Sequence, residues 1–269
     1  MGVIAGIDGQ TRRELSEILR RSKSIVSVEE AASILKKSPR EVAKLLARWV
    51  EQGWMARVRR GLYASVPLES KTPENVIGDP QVVAMKVFEP CYIGGWSAAE
   101  YWGLTEQIFK TIIVVTTKPI RQRKIKIQSS EFLIRQISDS RFFGMKVIWK
   151  ERIQVYISDP TKTIVDMLDD PTMSGGIRML ERILKEYLSS SNKDLKQLLA
   201  YAGRMKNGAI YKRLGYLLER SGIKDDSLMT TLRESVTTGN AKLDPALPAE
   251  CLITKWRLWV PKNWKESND

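Results

Sequence analysis

Ser38-Pro39-Arg40-Glu41-Val42-Ala43-Lys44-Leu45-Leu46-Ala47-Arg48-Trp49-Val50-Glu51-Gln52-Gly53 is the stretch on which the reading of the fold turns. A hydroxyl residue, then proline, then glutamate three places after the hydroxyl predicts a helix start. Ser38 can accept from free N–H groups, Pro39 lacks the N–H that a first turn leaves unpaired, and Glu41 completes a capping box. Gly53 stops the helix. Between them Val42, Leu45, Leu46, Trp49 and Val50 recur at i, i+3, i+4, i+7 and i+8 and make one apolar stripe. At about 100° per residue, Arg40, Lys44 and Arg48 stack on the opposite side.

Working outward, Ser27-Val28-Glu29-Glu30 is another capping box and opens a short helix through Ala31, Ala32, Ile34 and Leu35. A tight turn, Lys36-Lys37-Ser38, joins the two. Ahead of them Thr11–Arg21 carries Leu15, Ile18 and Leu19 at helical spacing. Behind them residues 54–66 read as two short strands around an Arg60-Gly61 turn, with Arg57, Arg59 and Arg60 upon it. Two helices joined by a tight turn, the second basic on its outer face, followed by a basic hairpin, predict a winged helix-turn-helix. The candidate DNA-binding residues are Lys36, Lys37, Ser38, Arg40, Lys44, Arg48, Arg57, Arg59 and Arg60. Arg40 and Lys44, near the helix start, are placed for base edges; the others suit phosphates. Trp49 falls in the apolar stripe and is expected in the core.

The whole chain has 269 residues, a net charge of +13, no histidine and two cysteines. Without histidine there is no Ser-His or Cys-His nucleophile and no His-ligated zinc. Cys91 and Cys251 are too few for a disulfide scaffold or a thiolate metal site and suit a reducing cytoplasm. No metal or cofactor is expected. Asp8 interrupts the opening apolar residues before a signal core can form, Gly6 breaks a myristoylation pattern, and no apolar run approaches a membrane span. A basic, non-membrane protein points to nucleic acid. Residues 1–66 hold thirteen Lys and Arg against seven Asp and Glu, and the remainder thirty-one against twenty-four. Both parts are therefore basic.

Residues 67–80, with Pro67, Pro73, Gly78 and Pro80, read as a linker between a 1–66 winged-helix domain and a domain over 81–269. In the latter Ser97 is expected to cap a short helix. Strands are expected at Thr111–Thr116, Ile125–Ile127, Phe132–Ile137, Met145–Trp149 and Ile153–Ile157. Asp159-Pro160-Thr161 starts a run of helices at about 160–169, 175–189, 193–203, 208–221 and 226–236, and Lys255–Val260 reads as a last strand. Strands grouped before helices indicate an α+β fold, a winged helix followed by a larger mixed sheet-and-helix domain. The linker's prolines predict few contacts between the two parts. There is no phosphate loop, and the Asp/Glu-x-Lys triplets, Glu69-Ser70-Lys71 and Asp194-Leu195-Lys196, fall in the linker and on a polar helix. Asp166, Asp169 and Asp170, near a helix end, are read as serving solvation or turn formation. A second basic patch, Lys118, Arg121, Arg123, Lys124 and Lys126, either extends a DNA footprint, meets an RNA, or is a solvated hairpin.

The chain resembles the AbiEi family, the antitoxins of type IV toxin–antitoxin systems. Val42–Tyr63 resembles its winged helix with a closing Arg-Gly-x-Tyr. Residues 92–107, Tyr-Ile-Gly-Gly-Trp-Ser-Ala-Ala-Glu-Tyr-Trp-Gly-Leu-Thr-Glu-Gln, resemble a block ending in Gly-Leu-Thr-Glu-Gln. Asp159-Pro160-Thr161-Lys162-Thr163 resembles an Asp-Pro-x-Lys-Thr helix start, and Leu243–Pro248 with Lys255–Leu258 a terminal signature. The resemblance implies a repressor that binds inverted repeats in double-stranded DNA of its own promoter. It also implies an antitoxin that opposes a nucleotidyltransferase-like toxin without a stable complex, and no enzymatic activity. The alternative from another class is a degenerate nuclease targeted by the winged helix. Clustered carboxylates at strand ends would mark it, and the expected strands lack them.

Overall fold

The computed structural model describes residues 8–22, 25–66, 79–150, 153–223 and 225–265. Residues 67–78 of the expected linker, with the Glu69-Ser70-Lys71 triplet, lie outside the described residues, as does the opening segment 1–7. The molecule is mixed α+β, with three sheets among the described residues.

The N-terminal part runs α1 (Gly9–Arg21), β1 (Ile25–Ser27), α2 (Val28–Leu35), α3 (Pro39–Glu51), β2 (Met55–Arg59) and β3 (Leu62–Ser65). Each local signal is visible at its atoms. Ser27 Oγ accepts from Glu30 N at 3.0 Å. Ser38 Oγ accepts from Glu41 N while the Glu41 carboxylate accepts from Ser38 N at 3.0 Å. Lys36 takes φ 53°, the left-handed conformation that ends α2 and lets the turn into α3 be so short. The strands pair antiparallel in the order β1-β3-β2. β1 was not expected; three residues carry no period of their own.

This small sheet is apolar on both faces. Val26, Met55 and Tyr63 pack against Ile18, Ala31, Val42, Leu46 and Trp49 of the three helices. Their neighbours Ile25, Ala56, Val58, Leu62 and Ala64 share a second apolar cluster with Val82, Val87, Phe132 and Ile134 of the larger part. Side chains on alternate positions of one sheet therefore serve two different apolar clusters.

The larger part opens with α4 (Pro80–Phe88), β4 (Cys91–Ile93) and α5 (Gly95–Tyr101). Then follow β5 (Thr111–Thr116), β6 (Lys124–Ile127), β7 (Ser130–Gln136), β8 (Met145–Lys150) and β9 (Ile153–Ser158). The six strands form one mixed sheet in the order β6-β7-β5-β4-β9-β8. Five helices follow, α6 (Pro160–Asp169), α7 (Ile177–Ser189), α8 (Leu195–Met205), α9 (Gly208–Arg220) and α10 (Asp226–Glu234). The chain closes with β10 (Ala241–Lys242), β11 (Cys251–Ile253), β12 (Leu258–Val260) and α11 (Lys262–Lys265). Tyr92, Ile113 and Val115 face the helices, and Ile93, Val114, Phe132 and Ile134 face α4 and the winged-helix sheet.

Three local expectations change. Gly94, not Ser97, sits at the start of α5, and Ser97 Oγ instead accepts from Ile113 N at 3.0 Å, tying the helix to β5. Residues 254–256 form a 3₁₀ turn rather than strand, because Trp256 is buried over Gly215 and its indole donates to Glu219 at 2.6 Å. Pro80, read as linker, is the first residue of α4.

Candidate nucleic-acid interface

α3 presents its two faces as its sequence requires. Val42, Leu46 and Trp49 are buried, while Arg40, Lys44 and Arg48 are exposed. Glu41 lies at the helix start, and hydrogen bonds from the Ser38 side chain and backbone hold its carboxyl below the usual carboxylate range. Beyond α3, the wing follows from β-sheet alternation. Val58 points inward, and Arg57 and Arg59 point out on either side of it. An irregularity in the β2–β3 register falls between Arg57 and Arg59, and Gly61, at φ 81°, makes the turn beside Arg60.

All nine candidate residues on helix and wing are exposed. They differ in what holds them. Lys37 Nζ is engaged by Glu14 at 2.6 Å, and Ser38 is spent on the cap. Arg48 lies within electrostatic reach of Asp8, the α1 cap, whose carboxyl is lowered mainly by hydrogen bonds from Thr11. Arg57 stacks over the Tyr63 ring at 5.8 Å. Arg40, Lys44, Arg59 and Arg60 have no carboxylate partner among the described residues. Lys36 likewise carries no ion pair and owes its place to the turn.

The second patch is also fully exposed. Lys124 and Lys126 alternate with Ile125 and Ile127 on β6, the outermost strand, so both cations share one face. Lys118, Arg121 and the wing's Arg59 line one cavity of about 390 Å³. The loop ahead of β6 thus lies against the wing, a relationship that no sequence signal carries.

The largest departure from the sequence reading concerns the aspartates. Asp166 is buried, accepts from the Tyr92 hydroxyl at 2.8 Å and pairs with Lys162, whose side chain is completely enclosed. Lys162 also lies 4.8 Å from the Phe143 ring centroid. Burial pushes the Asp166 carboxyl up against the opposing pull of Lys162, and it raises the Tyr92 phenol. Asp169 meets Arg135, Arg141 and Asn207, and Asp170 meets Arg135 at 2.9 Å. These residues tie α6 to the sheet and to α9. Asp194 caps α8 and Lys196 is exposed. Among the described residues no group of three or more His, Cys, Asp or Glu side chains could hold a metal ion, and no helix is long and apolar enough to cross a membrane.

Residues 13–66 match the family model described as "Transcriptional regulator, AbiEi antitoxin". No curated protein matches the sequence. Among solved structures, the crystal structure of the RV2827C protein from Mycobacterium tuberculosis is similar. The TM-score is 0.62 at 17% identity, over 96% of this chain and 94% of that one. The two share a fold. The matched segment contains α3 and the wing, and over residues 13–66 the chain is similar to the AbiEi antitoxin family of transcriptional regulators.

Proposed function

We propose that the chain is a cytoplasmic, non-enzymatic repressor of its own operon and an antitoxin opposing a nucleotidyltransferase-like toxin without a stable complex. The winged helix of residues 1–66 binds double-stranded DNA, and the domain over 81–269 carries the antitoxin activity. α3 enters the major groove with Arg40 and Lys44 at base edges. Arg48, Arg57, Arg59 and Arg60 meet phosphates, with Lys36 and Lys37 beside them. The observation that supports this most is the set of exposed cations on both α3 and the wing, Arg40, Lys44, Arg59 and Arg60, that have no carboxylate partner among the described residues. Among the described residues, cations held by carboxylates have their charge matched; these do not. Lys118 and Arg121, beside Arg59, extend the same run onto the larger part and favour a longer DNA footprint over a separate RNA site.

The test is fluorescence anisotropy on a duplex from the operon's own promoter containing its inverted repeats, against a scrambled duplex of equal length. Preference for the promoter, lost in Arg40→Ala with Lys44→Ala, is the expected result; equal binding of both duplexes refutes the repressor reading. Co-expression with the adjacent toxin, scoring growth and co-purification separately, tests the antitoxin reading.

A further inference from the structure

On the helix-side face of the six-stranded sheet, where β7 is left uncovered beside its outer strand, lies a cleft of about 790 Å³. That is the size of a small-molecule site rather than of a packing defect. Four arginines line it, Arg121, Arg123, Arg135 and Arg141. The two at its floor are neutralised: Arg135 pairs with Asp169 and Asp170, and Arg141 with Asp169. The two at its rim, Arg121 and Arg123, are exposed and have no carboxylate partner among the described residues. Four arginines against two aspartates leave two positive charges unmatched. The Nε of Arg135 is buried and has no hydrogen-bond partner among the described residues.

The rest of the lining is of another kind. Ile120, Leu133 and Met173 contribute apolar surface to the same cleft, and Ser138 and Thr172 bring hydroxyls. Clustered charge at one side and an apolar wall at the other suit a ligand with the same division. Guanidinium forks bind phosphate oxygens in pairs and also stack on flat rings. Two adjacent unmatched arginines fit phosphates joined directly to one another better than the single, spaced charges along a nucleic-acid backbone.

We propose that this cleft binds a free nucleoside di- or triphosphate. The phosphates lie against Arg121 and Arg123, and the base lies on the Ile120, Leu133 and Met173 surface. The site is separate from the contacts of α3 and the wing with DNA and shares Arg121 with the edge of that footprint.

Titrate the full chain with ATP, GTP, CTP and UTP in turn by calorimetry at low salt, with pyrophosphate and a single-stranded oligonucleotide as comparators. Saturable binding of one nucleotide per chain is expected. Arg121→Gln with Arg123→Gln should weaken it at least tenfold, about the loss expected for a single charge-assisted contact. Both side chains are exposed and make no ion pair among the described residues, so the variant should fold, which circular dichroism verifies. Arg59→Gln with Arg60→Gln, on the wing, should leave nucleotide affinity within about twofold while weakening DNA binding, which separates failure here from failure of the repressor reading. No saturation by about 1 mM, a limit of only about −4 kcal/mol, overturns the proposal. So does undiminished binding by the Arg121, Arg123 variant. Pyrophosphate binding as tightly as the nucleotides overturns the role of the base, and binding of the oligonucleotide alone overturns the free nucleotide.

Discussion

Arg59, the last residue of β2, and Arg121, in the loop ahead of β6, line the same cavity although they belong to different sheets. The wing and the second basic patch are therefore neighbours in space. Two charge clusters that look independent along the chain form one run of cations.

The first prediction concerns that run. Lys36, Lys37, Arg48, Arg57, Arg59 and Arg60, the six cations placed at phosphates, give a slope of log affinity against log salt of about −5. Affinity then falls roughly 10³-fold between 50 and 200 mM salt. Arg59→Ala with Arg60→Ala should lower the slope by about 2 and weaken promoter and scrambled DNA alike. Arg121→Ala with Lys118→Ala should act in the same sense. A slope unchanged in the wing variant, measured by anisotropy across a salt series, removes the wing from the interface.

The second prediction follows from the two-faced winged-helix sheet. A fragment of residues 1–66 uncovers Ile25, Ala56, Val58, Leu62 and Ala64, which the larger part buries in the whole chain. The fragment should melt at lower temperature than the intact protein and bind a dye for apolar surface. In the full chain Leu62→Ala should cost about 2–5 kcal/mol, as for other buried leucines. Thermal and urea unfolding of fragment and full chain check both; a fragment as stable as the whole would show that the shared cluster contributes little.

How much of this was legible depends on how local each cause is. α3 is read from residues a few places apart: the Ser38–Glu41 box, Pro39, the stripe ending at Val50 and the stop at Gly53. β1 has no such cause, because Ile25–Ser27 becomes a strand only by pairing with Leu62–Ala64. α4 is apolar almost throughout, from Val82 to Phe88, being buried on nearly all sides, so no helical period shows. Lys162 and Asp166 read as surface residues because lysine and aspartate are so seldom enclosed. Only the packing of Tyr92 on β4, Phe143 ahead of β8 and Met205 on α8 around Lys162 reverses that. The cleft at Arg121 and Arg135 is likewise tertiary: its walls come from β5, β7, the loop before β6 and the turn after α6.

The third prediction separates the two thiols. Cys91 is buried, its Sγ bonds to the Ala84 carbonyl at 3.3 Å, and burial raises its pKa to about 12. Since the thiolate is the reactive form, almost none is present at pH 8. Cys251 is partly exposed. A thiol reagent at pH 8 should modify Cys251 first and reach Cys91 only on unfolding, so mass spectrometry should find one label per native chain. Rapid double labelling contradicts the packing of α4 on β4.

The last prediction turns on the enclosed pair. Lys162→Met removes the cation and leaves the Asp166 carboxylate in the core with the Tyr92 hydroxyl as its remaining side-chain partner. Breaking one half of a buried ion pair costs about 3–5 kcal/mol at neutral pH. Asp166 is already raised by burial, and without Lys162 only the Tyr92 hydrogen bond opposes that rise. The sign follows by linkage. A carboxyl whose folded pKa lies above its unfolded value binds its proton more tightly in the folded state, so stability increases as pH falls through the folded pKa and levels off below the unfolded one. The Lys162→Met variant should therefore regain stability as pH falls from neutral toward about 4, the ordinary aspartate value, while the parent changes less. Replacing the whole network, Lys162→Met with Asp166→Leu and Tyr92→Phe, removes the buried charge altogether and should be more stable than the single variant at pH 7. Urea unfolding at a series of pH values decides it. A single variant that matches the parent at pH 7 would mean that the pair contributes no more than an apolar contact of the same size.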